Sequence, residues 1–323
     1  MTRMVQIDIP RVPVGDGIQH FFDWLTNHMG SVFDAISSVM GSAVDQLIAL
    51  LEAPDPVLLA AVFALIGLLV RGWKFAILGF TGLLLVIGVE QWAAAMQTLA
   101  LVLVSTVVAV LIAIPLGVLA ARRRRASSVL RPIMDLMQTM PAFVWLVPVV
   151  TLFSIGVVPG VIATIIFALP PGVRLTELGI RSVDAEMVEA AQAFGATPRQ
   201  TLFGVQLPLA LPTIMAGINQ VIMLALSMAV ISGLVGAEGL GGQVTGAIAT
   251  LDLGLGFEAG LSVVVLAIYL DRVTASIGQG NVGGALLSLS RKRRASASQD
   301  AALEETTEEE PVAPSDTRTA VGA

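Results

Sequence analysis

The sequence predicts an all-α polytopic membrane protein: a helical bundle of about seven transmembrane helices with a core of five. Three observations carry that expectation. Hydrophobic residues make up 55% of the 323 and charged residues 13%, with a mean hydropathy of +0.85; such a chain has lipid as its main solvent. The apolar residues come in runs long enough for a bilayer core of roughly 30 Å, which takes about 20 residues per helix. The basic residues gather at alternate boundaries between those runs, as expected where every second loop stays in the cytoplasm.

The elements follow in order. Residues 1–56 are an acidic leader, with Asp8, Asp16, Asp23, Asp34, Asp45, Glu52 and Asp55 against Arg3 and Arg11. Between Gly17 and Leu51 apolar residues (Phe21, Leu25, Phe33, Ile36, Val44, Leu47, Ile48) recur at helical spacing, so a partly amphipathic helix along the outer membrane surface is expected. The first twenty residues hold no apolar h-region, and no cleavable signal peptide is expected. Residues 57–90 contain two short spans or a hairpin, at 57–70 and 74–89. The core occupies 91–282, with spans at 93–120, 130–154 (Pro141, Pro148), 158–178 (Pro170, Pro171), 209–235 and 257–280. A basic flank and a Ser-, Ala- and Glu-rich acidic tail fill 283–323, where apolar residues are too few for a core and cytosolic disorder is expected.

Charge sets the orientation, because Lys and Arg collect on the cytoplasmic side. Arg122, Arg123, Arg124 and Arg125 close the 93–120 span, which makes that end cytoplasmic. Alternation then places Arg71, Lys74, Arg131, Arg174, Arg181, Arg199, Arg272 and the run Arg291, Lys292, Arg293, Arg294 inside. The outer loops near Glu90, near Pro159 and at 236–256 carry no Lys or Arg. The expected protein is multi-pass in the cell (inner) membrane, with its N-terminus outside and its C-terminus in the cytoplasm.

Several chemistries are excluded. There is no cysteine, hence no disulfide framework and no thiolate metal site. The two histidines, His20 and His28, lie in the leader, which rules out an HExxH zinc site. Lys74 and Lys292 are the sole lysines, and neither follows Gly or precedes Ser or Thr, so a Walker A phosphate loop is impossible. The glycine-rich stretch GAEGLGGQVTG at 236–246 fits no nucleotide fingerprint and reads as turns or close packing. No catalytic residue, cofactor or metal is expected in this chain.

One polar island, residues 182–208, interrupts the apolar core on the cytoplasmic side. Asp184 can cap a helix through AEMVEAAQAF, and Gly195 suits the left-handed position that ends one. Thr197, Pro198 and Gln200 offer a second helix start with a capping box. Pro208 and Pro212 mark entry to the next span. The expectation is a folded helix–turn–helix in which Met187, Ala190, Ala191 and Phe194 share one face, at i, i+3, i+4 and i+7. A face that is small in its middle suits close docking, either in a partner's groove or back on the chain's own membrane domain. Spacing leaves both open.

The island's sequence adds a resemblance. Glu189-Ala190-Ala191, three residues, Gly195, nine residues and Val205-Gln206-Leu207-Pro208 resemble the EAA loop of ATP-binding-cassette (ABC) importer permeases, EAA-x3-G-x9-I-x-L-P, with Val205 where Ile is usual. The segments RPIMDLMQTMPAFVWLVPVVTLFSIGVVPGVIATIIFALPPGVRLTELGI and LPLALPTIMAGINQVIMLALSMAVISGLVGAEGLGGQV resemble the glycine betaine/proline betaine branch, over residues 93–280. The resemblance implies a transport subunit for a quaternary ammonium osmoprotectant. It implies an ATPase-coupling element carrying Met187, Glu189, Ala190, Ala191, Phe194, Gly195, Val205, Leu207 and Pro208. It further implies a partner ABC ATPase that binds the ATP and Mg, an extracytoplasmic substrate-binding protein and a second copy of the chain. Nothing is inherited by the leader or the tail.

Two other classes fit less well. A membrane-embedded enzyme needs a catalytic constellation, and the spans hold no His, no Cys and no paired carboxylates. A secondary transporter expects ionisable residues at mid-membrane, whereas Asp135, Glu177, Glu238, Asp252 and Asp271 are placed at or beyond span ends. Gln138, Thr139, Asn219, Gln220 and Ser227 are candidates for a translocation path, with Met223 and Ile231 on the same stripe; helix–helix hydrogen bonding is the competing role. Phe143, Trp145 and Phe153 could offer cation–π contacts to a betaine, but packing is their expected role.

Overall fold

The computed structural model describes residues 13–278, apart from the side chains of Val14 and Gly278. Arg3, Asp8, Arg11, the basic run 291–294 and the acidic tail lie outside the described residues. Among the described residues all regular structure is helical. The helices are α1 (Val14–Glu52), α2 (Pro56–Arg71), α3 (Trp73–Gly88), α4 (Trp92–Arg122), α5 (Arg124–Thr139), α6 (Leu146–Phe153), α7 (Val157–Arg181), α8 (Ala185–Ala193), α9 (Pro198–Thr201), α10 (Leu207–Ile231), α11 (Leu240–Thr250) and α12 (Leu253–Gly278).

The centre is a sandwich of three helices, α7 between α4 and α10. What lets them approach is the absence of side chains where they cross. A methyl group on Gly117 of α4 would stand 2.5 Å from Thr176 Cβ and 2.8 Å from Val173 O of α7. One on Gly172 of α7 would meet Ala113 Cβ at 2.8 Å, and one on Gly217 of α10 would meet Leu175 Cβ at 2.9 Å. In lipid, apolar burial does not drive helices together, so close van der Waals approach at small residues takes over that role. The same pairs fix directions. Ala113 faces Gly172 and Gly117 faces Thr176, so α4 and α7 run parallel; Gly217 faces Leu175 while Thr213 faces Gly179, so α10 runs antiparallel to them.

Because α4 and α7 are parallel, the chain between them must return to its starting end. It does so through α5, a 3₁₀ turn at Ala142–Trp145 and α6, a pair bent by 106°. The straight span expected at 130–154 is therefore broken. Pro141 is the cause: it disfavours helix at the residue before it, and Met140 is extended (φ −72°, ψ 135°). Five helical stretches are long and apolar enough to cross a membrane, or six if the bent pair counts as one. Four of the five expected core spans are unbroken helices: α4, α7, α10 and α12. The remaining long helix is α1, in the leader.

α2 and α3 are 16 residues each, or about 24 Å, short of the roughly 30 Å core. They pack on each other and on α12, where Tyr269 Oη donates to Phe63 O at 2.7 Å and Arg71 Nη1 to Ser276 Oγ at 3.4 Å. These contacts align α2 with α12 and put Arg71 at the same end as Arg272. The C-termini of α4 and α7, with Arg122 and Arg181, share an end as well, since Arg181 Nη2 donates to Ala120 O at 2.9 Å.

At the opposite end α1 packs on α4, α6 and α7. Phe33 meets Phe153 edge-on and Gly41 comes up to Val158. Val44 is fully buried, but Phe21 is 55% exposed, so the apolar face expected in the leader is engaged only in its later half. The glycine-rich stretch 236–246 also belongs here. Thr98 of α4 accepts from Leu240 N at 2.8 Å and so caps α11, and Gly239 (φ +99°) lies hard against it. A Cβ there would be strained and would strike Thr98 Oγ1.

Gly117→Leu is expected to force α4 off α7 and to lower the thermal unfolding midpoint of the detergent-purified chain by many degrees. Gly88→Ala, at a site open on all sides, should leave it within a degree or two. Equal midpoints would refute the close-packing account.

Candidate functional site

The helix–turn–helix hangs from the arginine-rich end, between α7 and α10. Each expected local signal is met by a bond. Asp184 accepts from Glu186 N at 3.1 Å and caps α8. Gly195 has φ +81°, its N–H bonds Gln192 O at 2.9 Å and the next N–H bonds Ala191 O at 3.0 Å. That pair of bonds is a Schellman motif, which needs a left-handed residue at the first position past the cap. Thr197 N donates to Gln200 Oε1 at 2.8 Å while Gln200 N donates to Thr197 Oγ1 at 3.4 Å, the reciprocal capping box.

The chain then enters α10 through a π-turn at Leu202–Gln206, in which Leu207 N bonds Leu202 O. The wider turn has a cause. Pro208 has no N–H and its ring would press on the carbonyl four residues back, so the helix widens just ahead of it. Val205 and Leu207 are half-buried in this transition, and Pro208 is exposed.

α8 buries none of its residues. Met187 is 51% and Phe194 94% exposed, with Glu189 and Ala190 also outward. The face predicted from spacing is split at its edge: Ala191 is half-buried and turns partly inward beside Val188. Val188 and Gln192 overhang a cavity of about 250 Å³ roofed by Ile180, Arg181 and Thr201. The helix is thus anchored at its two ends and presents an apolar, small-centred face with no partner among the described residues.

Beside the loop lies a cluster that the sequence does not announce. Glu177, expected at a span end, sits inside α7 with 6% exposure. Its carboxylate accepts from Ser127 Oγ at 2.8 Å, Arg181 Nε at 2.9 Å and Arg131 Nη2 at 3.2 Å. One turn earlier Arg174 pairs with Asp135. These bonds tie α5 along the last two turns of α7. The available signals were the i, i+4 spacing of Glu177 and Arg181 and the cost of any charge inside a span.

The polar residues separate into two groups. Gln220, Met223 and Ser227 form an exposed stripe on α10, and Gln138 and Thr139 are exposed where α5 ends. Asn219 is not on that stripe. Its Nδ2 donates to Asp271 Oδ1 at 2.9 Å and its Oδ1 accepts from Thr274, so it joins α10 to α12. Trp145 donates to Met137 O at 3.3 Å, Phe153 packs on Phe33, and Phe143 is exposed; among the described residues the three form no aromatic cage.

A three-helix core with a broken span, and a capped loop of this design at one end, define a helical membrane protein with a folded loop at one face. Residues 113–280 match the family described as "Binding-protein-dependent transport system inner membrane component", and the chain belongs to that family. It is 46% identical over 269 residues to the glycine betaine transport system permease protein OpuAB of Bacillus subtilis (strain 168), covering 83% of this chain and 95% of that one. It is also 46% identical over 271 residues to the glycine betaine/proline betaine transport system permease protein ProW of Escherichia coli (strain K12), covering 83% and 76%. Among solved structures, an inward-facing form of the MetNI methionine ABC transporter matches with a TM-score of 0.51 and 24% identity, over 57% of this chain and 92% of that one; this likeness is one of fold. The protein is a multi-pass membrane protein.

Removing the Glu177 carboxylate leaves Ser127 without its acceptor and two arginines without their anion. Glu177→Ala is expected to destabilise the purified chain by about 1–3 kcal/mol, less than a fully buried pair would because both arginines reach solvent. Asp135→Ala breaks a pair whose members are 64% and 40% exposed and should shift the melting midpoint little. The order of the two midpoints checks the assignment, and a larger shift for Asp135→Ala would overturn it.

Proposed function

We propose that this chain is the membrane subunit of an ABC importer that takes up quaternary ammonium osmoprotectants, glycine betaine and proline betaine. It works as a homodimer bound to two copies of a partner ATPase, which holds the ATP and Mg. An extracytoplasmic binding protein delivers the solute. The observation that carries the coupling role is the outward face of α8, with Met187, Ala190 and Phe194 exposed on a helix anchored at both ends. The substrate class rests on the kinship with the two betaine permeases over 83% of the chain.

In this mechanism closure of the ATPases moves α8. Because α8 joins α7 directly and α10 through the capping-box turn, the push reaches the two helices on either side of the central crossings. Gln220, Met223 and Ser227, with Gln138 and Thr139, line the path between the two copies, while Asn219 and its Asp271 partner hold α10 to α12. A secondary transporter would need none of this loop. The arginine-rich end is cytoplasmic in this reading, by the positive-inside rule, and α1 belongs to the opposite, outer side.

Ala190→Trp lifts the docking face by several ångströms, and lost dispersion contacts cannot be recovered at that separation. It should leave membrane abundance and melting normal, with uptake of radiolabelled glycine betaine reduced at least tenfold and ATPase activity lost or uncoupled. Full uptake by this variant, with its usual complement of ATPase, would remove α8 as the coupling element. Sidedness has its own check. Single cysteines can be introduced without background because the chain has none. A cysteine at position 16 should react with an impermeant maleimide from outside, and one at position 300 only after the membrane is opened; the reverse pattern would invert the topology.

A further inference from the structure

On the flank of the bundle a groove of about 700 Å³ separates the end of α4 from the start of α10. Its walls are apolar, with Pro115, Val118 and Leu119 on one side and Phe203 and Leu207 on the other. One end carries Arg122, Arg123 and Arg199. Among the described residues no carboxylate pairs with any of these three. The two faces that form the groove continue into the span as exposed leucines, Leu111 two turns before Leu119 on α4 and Leu211 one turn after Leu207 on α10. Leu211 is nine residues from Gln220, about half a revolution around α10. The groove therefore opens on the side of α10 away from the polar stripe, among residues fit to face hydrocarbon.

We propose that this groove is a binding site for an anionic phospholipid. The phosphate is held by the guanidiniums of Arg122, Arg123 and Arg199, and an acyl chain lies along Leu119 and Phe203. The chemistry is complementary in both parts. Guanidinium and phosphate form short, charge-assisted and often bidentate bonds, and basic pockets between helices at a membrane surface select anionic headgroups. A soluble phosphate would satisfy the arginines and leave the apolar walls wet, so a lipid is the occupant that uses the whole site. Arg199 is the second residue of the capping-box helix. A bound lipid would therefore bridge the end of α4 to the helix–turn–helix and tether the loop to the membrane surface. The proposal depends on the fold and the placement of charge, not on the substrate or on which face is cytoplasmic.

Native mass spectrometry of the purified full-length chain tests it, with phosphatidylglycerol, phosphatidylcholine and glycerol 3-phosphate as probes. Phosphatidylglycerol should be retained at least tenfold better than phosphatidylcholine, and glycerol 3-phosphate at equal concentration should not displace it. At about fivefold per basic residue near an anionic surface, Arg199→Gln alone should weaken retention roughly fivefold. The triple Arg122→Gln, Arg123→Gln, Arg199→Gln variant should weaken it on the order of a hundredfold, while the matching triple Lys variant, which keeps the charge and loses the bidentate geometry, should fall between that variant and the wild type. Neutralising Arg291, Arg293 and Arg294 removes equal charge elsewhere and should have little effect. Equal retention of the two lipids, displacement by glycerol 3-phosphate, or an equal loss in that comparator would overturn the proposal. So would a change of oligomeric mass in the triple Gln variant, which would make the groove an interface between copies. A several-fold rise in lipid retention on deleting residues 296–323 would make the acidic tail its occupant.

Discussion

The closeness of α7 to α4 and α10 is the constraint on which the rest depends. Lipid offers helices no hydrophobic reason to associate, so the bundle is held where backbones can touch: Gly117 against Thr176, Gly172 against Ala113, Gly217 against Leu175. Once these contacts are made, the direction of each helix is fixed. The parallel run of α4 and α7 obliges the chain to return between them, and the broken α5–α6 segment is that return. The antiparallel run of α10 places its start beside the end of α7, which is why the loop joining them can be short and folded.

That loop and the charge cluster next to it form one mechanical unit. The ion pairs of Glu177 with Arg131 and Arg181, and of Asp135 with Arg174, join α5 to the segment of α7 that leads into α8. In the proposed mechanism a displacement of α8 would reach α5 through α7, and with it the Pro141 break where Gln138 and Thr139 are exposed. Charges within a span cost less when each has its partner already in place. Here the carboxylate is buried and the arginines reach outward, so the network stays rigid at its centre while its edge remains solvated.

The two ends of the bundle solve different problems. At the arginine-rich end, termini are closed by side-chain caps and a Schellman turn, and α8 buries none of its own residues. At the opposite end the closing bonds run across the fold: the Thr98 hydroxyl caps α11, Gly156 N bonds Val235 O at 3.0 Å, and α1 comes up to the start of α7 at Val158. Both ends leave apolar residues uncovered: Met187 and Phe194 at the first, Ile155, Leu251 and Leu253 at the second.

The sequence alone determined whatever depends on composition and near neighbours. Apolar runs located α4, α7, α10 and α12, since burial in lipid is a property of a segment. Asp184, Gly195, Thr197 and Gln200 marked the helix ends correctly, because capping bonds join residues within five positions of one another. Tertiary structure decided whatever depends on which helices meet. Pro141 and Pro148 were visible inside 130–154, but a proline in a span can kink it or break it, and only the parallel packing of α4 and α7 shows what the bent segment must accomplish. That Glu177 is buried was not legible, because two of its three donors, Ser127 and Arg131, come from α5 and only Arg181 lies in its own helix. Asn219 and Gln220 are adjacent in sequence and indistinguishable in polarity, yet 100° apart around α10; the presence of Asp271 and Thr274 on α12 turned one into a strut and left the other on an open face.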